Sequence, residues 1–172
     1  VGPDPDAVRA EYATSDSLQV RLDTHRLHSE RPDDLDGRCR HLMRLSGEES
    51  LLDVGPGPGR FEADLRAAGH RGLLVGVDAS VGMATEAAGN APSARWVVGD
   101  AQALPARSGA FDWVVARHML YHVANIPAAL RELRRVIRPR GAALVTTNGS
   151  DSLPALRNLR RQAAEAFGLP AP

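Results

Sequence analysis

The sequence contains no lysine: all 21 residues of its Lys+Arg total are arginines. That absence excludes a Schiff-base lysine and a phosphate-binding loop of the Gly-Lys-Ser/Thr type. Cys39 is the single cysteine, so an intrachain disulfide and a multi-cysteine metal site are excluded as well, and a reducing cytoplasm is the expected setting. Aromatic residues make up 4% of the chain, few for a surface that stacks nucleic-acid bases. The formal net charge of +0 removes any global pull toward nucleic acid or an anionic membrane. No apolar run approaches the roughly 18–20 residues that span a bilayer. The N-terminal Val-Gly-Pro-Asp-Pro-Asp has no basic-then-apolar signal pattern.

What is present suits one soluble globular domain with a core of its own: 172 residues, 43% of them hydrophobic. Residues 1–46 are polar and carry a sparse apolar stripe at helical spacing: Val8 with Tyr12, Leu18 with Leu22, Leu42 with Leu45. Two or three helices are expected there, broken at Pro32, forming a cap or lid over the domain beyond them. Residues 47–150 change texture. Five short apolar runs, at 51–54, 73–77, 96–98, 111–116 and 142–146, alternate with helical patterns at 61–68, 81–89 and 126–137. Each run is nearly continuous, which implies strands buried on both faces, hence a parallel sheet. The expected fold class is therefore α/β, a Rossmann-like doubly wound, mostly parallel sheet with right-handed crossovers and an N-terminal helical cap. Residues 151–172 read as one more helix.

The chain is organised around residues 51–61, Leu-Leu-Asp-Val-Gly-Pro-Gly-Pro-Gly-Arg-Phe. An apolar run, then glycines, then an amphipathic helix is how a parallel strand hands over to a loop whose backbone approaches a ligand. Two adenosine-containing cofactors favour this architecture, a nicotinamide dinucleotide and S-adenosylmethionine. The dinucleotide fingerprint needs Gly-x-Gly-x-x-Gly. Here Gly55, Gly57 and Gly59 alternate, and the position three after Gly57 is Arg60. The fingerprint fails, which disfavours a nicotinamide-dependent oxidoreductase.

Later segments supply partners for the loop. Asp78 follows Gly59 by 19 residues (78 − 59), at the carboxyl end of the second run. A carboxylate there can accept both hydroxyls of a ribose, and capping of the next helix is compatible with that role. Asp100 closes the third run, where it can accept from an adenine amino group while the Ala101 amide donates to a ring nitrogen. Asp53 is expected to face the loop near the cofactor's amino-acid end, although a carboxylate that merely holds the glycine-loop amides would leave the same trace.

Taken in order, these segments resemble the class I S-adenosylmethionine-dependent methyltransferases, in particular the type 11-like domains. Residues 51–61 resemble motif I; Val75-Gly76-Val77-Asp78 resembles the second strand with its ribose-binding acid. Residues 97–105 resemble the third strand and adenine loop, residues 111–116 the fourth strand, and residues 130–144 the helix and turn entering the fifth. The likeness covers about residues 50–147. Pro56 and Pro58 occupy variable sites of motif I, and Arg140 stands where the family often has glycine. The resemblance implies S-adenosylmethionine as cofactor, bound by Asp53, Gly55, Gly57, Gly59, Asp78, Ala79, Asp100, Ala101 and Arg117, with the Gly55 and Arg117 carbonyls accepting from the ammonium group. It also implies methyl transfer to a small-molecule acceptor; a domain that binds the cofactor without turnover is the alternative.

Methyl transfer needs a general base only when the acceptor must lose a proton. His118, then Tyr121, both just beyond the fourth strand, are the candidates; His122 is expected to pack under the following helix. Tyr12, His25 and His28 could close over the site. The two histidines sit three apart, but no third metal ligand accompanies them, and no metal is expected. Arg131, Arg134, Arg135 and Arg138 around Glu132 read as a solvated helix face rather than an RNA-methylating surface. The usual sixth and seventh strands are expected to be missing, so the chain is either a fragment or carries a short sheet, and an uncovered edge invites dimerisation.

Overall fold

The computed structural model describes residues 11–12, 14–28 and 34–147. Pro32, Val8 and the helix expected over 151–172 lie outside that set, as do the side chains of Leu22, His25 and His28. In chain order the elements are α1 (Asp16–His28), α2 (Leu35–Met43), β1 (Leu51–Val54), α3 (Arg60–Ala67), β2 (Leu74–Asp78), α4 (Val81–Asn90), β3 (Arg95–Val98), β4 (Phe111–Arg117), a 3-10 turn (Leu120–His122), α5 (Ile126–Val136) and β5 (Ile137–Thr146). The sheet order is β3-β2-β1-β4-β5, and every pairing is parallel. This is the Rossmann-like α/β architecture, with the first four strands and the three intervening helices where the sequence pattern puts them.

Alternation along β1 divides the core. Leu52 and Val54 face one side, packing with Val77, Val114 and Ala116 under Ala129, Leu133 and Val136 of α5. Leu51 faces the other, with Phe61, Leu65, Leu74 and Val115 under Cys39 and Met43 of α2. Burying each large apolar side chain in these two layers contributes about 1.5–3 kcal/mol. Asp53 shares the second face, and no part of it reaches solvent.

Three expectations change. The edge strands are not buried on both faces: β3 exposes Val97 and Val98, and β5 exposes Val145, each strand having one strand partner among the described residues. β5 begins at Ile137 rather than 142. Its register jumps between Phe111↔Ile137 and Trp113↔Ala142, which leaves residues 138–141 as an irregularity with Arg140 at φ +70. Glycine would adopt that conformation at least cost, so the departure from the family's pattern at Arg140 is a strained one. On the helices, the spacing of Ile126, Leu130, Leu133 and Ile137 predicts one apolar face, but Ile126 and Leu130 are exposed while Ala129, Leu133 and Val136 are buried, and α2 buries Cys39 and Met43 while Leu42 is exposed.

The chain builds outward from β1 through β2 to β3, then returns across the sheet to β4. The direction of winding reverses between β1 and β4. In open α/β sheets the crevice outside the carboxyl ends of such strands is where ligands bind.

Candidate functional site

The glycine loop occupies that crevice. Gly55, Gly57 and Gly59 have φ of +68, +61 and +73, a run of left-handed conformations that other residues adopt only with strain. Space excludes side chains too. A Cβ on Gly55 would stand 2.7 Å from the Cβ of Met119, and one on Gly59 2.8 Å from the Trp96 ring and 2.9 Å from the Ala87 methyl. The loop is pinned by Gly55 N donating to the Val77 carbonyl at 2.8 Å and by Asn90 Nδ2 donating to the Pro58 carbonyl at 2.9 Å.

Asp78, at the end of β2, reaches the middle of the loop. Its Oδ2 accepts from Gly57 N at 3.2 Å and its Oδ1 from Ser80 N at 2.8 Å. Burial raises the Asp78 carboxyl above its ordinary value, and the Ser80 and Gly57 amides pull it back only in part. The helix cap itself is Ser80, whose hydroxyl accepts from Met83 N at 3.1 Å. Ala79 lies between them at the mouth of the crevice.

Asp53 is not at the loop face. It is wholly buried behind the loop, where Oδ2 accepts from Arg117 Nη2 at 2.9 Å, and the carboxylate that holds a glycine-loop amide is Asp78 instead. Arg117 contributes a buried guanidinium: Nη1 pairs with Asp36 of α2, and the Cζ atom lies 4.0 Å from the centre of the Phe61 ring. Burial works against its charge, but the carboxylates of Asp53, Asp36 and Glu62 outweigh that and push it further from neutrality. Glu62, in the first turn of α3, is equally buried.

Asp100 lies two residues past the end of β3 and is exposed. Its carboxylate is bracketed by Gln102, whose backbone N donates at 2.8 Å and whose Nε2 donates at 3.1 Å, while Gln102 Oε1 accepts from Asn125 N at 3.0 Å. Ala101 is buried. The segment after it is tied to α5: Leu104 N donates to Glu132 Oε2 at 2.8 Å, and Arg135 donates to the carbonyls of Leu104 and Ala106 at 3.0 and 2.7 Å. Arg135 and Glu132 are therefore loop anchors, not members of a solvated face.

Beyond β4, His118 has φ +49 and its N–H donates to the Thr146 carbonyl at 3.0 Å. That reversal sets Met119 against Gly55 and starts the 3-10 turn. It gathers rings: His118 and Tyr121 have centroids 6.4 Å apart, Tyr121 and His122 4.4 Å, His122 and Tyr12 4.9 Å. His122 Nε2 meets the Tyr12 hydroxyl at 3.0 Å. The Tyr12 carbonyl accepts from Ser80 Oγ at 2.7 Å, so this residue straps across the crevice from the β2 end to the β4 end. Leu18 of α1 approaches Gly57, and Arg60 pairs with Gln19. Tyr12, one of the three residues expected to close over the site, is thus joined to Ser80 and His122.

Sequence reasoning missed Glu62, Ser80 as partner of Tyr12, and Gln102. An acidic residue between Phe61 and Leu65 on the inner face of α3 was the available signal for Glu62. Among the described residues no cluster of His, Cys, Asp or Glu is arranged to hold a metal ion, and no helix is long and apolar enough to cross a membrane.

The family described as "Methyltransferase domain" matches residues 52–145, from β1 through β5. The chain belongs to the class I S-adenosylmethionine-dependent methyltransferases. Similar proteins include a demethylmenaquinone methyltransferase of Mycobacterium bovis, 40% identical over 106 residues, covering 62% of this chain and 44% of that one. A malonyl-[acyl-carrier protein] O-methyltransferase of Legionella pneumophila is 34% identical over 110 residues, covering 62% of this chain and 39% of the relative. The chain thus spans less than half the length of either. Among solved structures, the [4+2]-cyclase SpnF superposes with a TM-score of 0.67 at 25% identity, over 85% of this chain and 61% of that one.

Proposed function

We propose that the protein transfers a methyl group from S-adenosylmethionine to a small-molecule acceptor. The observation that carries this reading is the half-buried Asp78 carboxylate gathered with three left-handed glycines at the point where the sheet reverses. That cradle fits the cofactor: at Gly55 and Gly59 it has room for no side chain, and its acid is aimed into the loop. Asp78 holds the ribose hydroxyls, with Ala79 beside it; Asp100 and Ala101 take the adenine. Gly57 and Gly59 let the backbone close on the cofactor, and the carbonyls of Gly55 and Arg117 accept from the ammonium. Asp53 acts on the same amino-acid end from behind the loop, through its charge.

When bound, the cofactor supplies a sulfonium-activated methyl group for in-line displacement. The chain's own tasks are alignment and exclusion of water. Tyr12, joined to Ser80 on one bank and His122 on the other, covers the crevice, and α1 lies over Gly57. His118 and Tyr121 face the acceptor side as base and orienting group. The acceptor is a small molecule, free or carrier-bound: the two methyltransferase relatives are named for a quinone and for a malonyl group on a carrier protein. Because the fold also carries a cyclase, turnover has its own test.

A thermal-shift panel tests binding. S-adenosylmethionine and S-adenosylhomocysteine, each at about one hundred times its dissociation constant, stabilise the chain by about 2.7 kcal/mol, and nicotinamide dinucleotides do not. Stabilisation by a nicotinamide alone removes the reading. Turnover is then sought in acceptor screens with methyl-labelled cofactor. For an acceptor that must lose a proton, His118→Gln lowers kcat about 10²–10⁴-fold with cofactor affinity unchanged. An unchanged kcat assigns the step to alignment alone.

A further inference from the structure

Behind the glycine loop four elements bring charge to one buried spot: Asp53 from β1, Glu62 from α3, Arg117 from β4 and Asp36 from α2, with Arg38 and the Cys39 thiol of α2 at the margin. Asp53 and Glu62 have no solvent exposure at all. Arg117 donates to one oxygen of Asp53 and to Asp36. Asp53 Oδ1 and both Glu62 oxygens then have no hydrogen-bond donor among the described residues. One guanidinium does not neutralise three carboxylates, two of them fully desolvated, and leaving acceptors unpaired in such a place is costly.

The two buried acids are neighbours with acceptor oxygens left over, and a carboxyl pair forms a hydrogen bond only when one member carries a proton. Burial, and then the charge of Asp53, raise the Glu62 carboxyl well above its ordinary value, whereas Arg117 holds Asp53 directly. The proton therefore resides on Glu62.

We propose that Glu62 is a positioning residue for the cofactor's amino-acid end: as a neutral acid it donates to Asp53 Oδ1, fixing the buried carboxylate behind the loop, and it couples cofactor binding to a proton. This rests on the assignment of Asp53 to the ammonium end of S-adenosylmethionine. When the ammonium arrives it adds positive charge beside the pair. Ionised Glu62 becomes less unfavourable, and a fraction of its proton passes to solvent.

Calorimetry of the full chain at pH 7, in two buffers of different ionisation enthalpy, counts that proton. The ligands are S-adenosylhomocysteine and methylthioadenosine, which lacks the ammonium and carboxylate. Wild type releases more proton with S-adenosylhomocysteine than Glu62→Gln does, the ligand amine contributing equally to both. Glu62→Gln keeps a donor toward Asp53 and retains affinity within about threefold. Glu62→Leu fills the space without donating and weakens S-adenosylhomocysteine about tenfold, leaving methylthioadenosine unchanged. Equal proton counts in wild type and Glu62→Gln overturn the proposal, as does equal weakening of both ligands by Glu62→Leu. If Glu62→Leu does not fold, the Glu62→Gln count decides alone. If wild type binds neither ligand, it is the cofactor reading that has failed.

Discussion

Arg117→Met is expected to lower the unfolding free energy by about 3–5 kcal/mol, the cost of stripping one partner from a buried ion pair. Arg117 is the direct partner of the fully buried Asp53 and sits against the Phe61 ring, so its loss leaves the Asp53 carboxylate without its paired counter-charge. Against a total stability of about 5–15 kcal/mol for a domain, that is a large share. Urea denaturation reads it as a lower midpoint at unchanged slope. Asp53→Asn added to Arg117→Met recovers much of the loss, because the orphaned charge goes with it; a double variant no more stable than the single removes the explanation. The pH dependence has a defined sign. The Glu62 value is raised in the folded state, so its contribution is fully present below the ordinary glutamate value and is lost as the pH rises through the folded one. Without Arg117 that decline steepens, and the variant loses more at pH 8 than at pH 5.

Much of the fold was legible because burial and backbone geometry leave local marks. Continuous apolar runs located all five strands, and alternating glycines announced a loop in which all three glycines have positive φ. Asp78 was readable from its place at a strand end. What stayed hidden depends on residues far apart in the chain. Tyr12 and His122 are separated by 110 positions and meet at 3.0 Å. The edge positions of β3 and β5 follow from sheet order, which no run of residues encodes by itself. Asp53 shows the limit most clearly. As a motif residue it invited a place at the loop face, but strand alternation sets it with Leu51 on the α3 side, and the guanidinium that accounts for its burial lies 64 residues downstream. Arg135 and Glu132 likewise looked like an exposed charged stripe until the loop they hold was placed beside them.

Asp78→Ala is expected to weaken S-adenosylhomocysteine and methylthioadenosine alike by about 10²–10³-fold, since both carry the ribose and each charge-assisted hydrogen bond contributes about 1.5–3 kcal/mol. Equal loss for the two ligands separates this acid from Glu62, whose effect is confined to the ligand with an ammonium. Folding should change by less than about 2 kcal/mol, and the reason lies in the sign of the shift. Burial raises Asp78 in the folded chain, so its contribution to stability is full below the ordinary aspartate value and lost as the pH rises through the raised one. At neutral pH the ionised carboxylate is thus held at a cost to folding, offset in part by the Gly57 and Ser80 amides. A group kept charged against its own desolvation is poised for a ligand that will hydrogen-bond to it. Cofactor affinity should accordingly fall as the pH is lowered through the raised value, earlier than an exposed aspartate would allow, and the fall should be absent in Asp78→Ala. Titration calorimetry between pH 4 and 8 separates the outcomes: a flat wild-type profile, or full affinity in the alanine variant, would take the ribose away from Asp78.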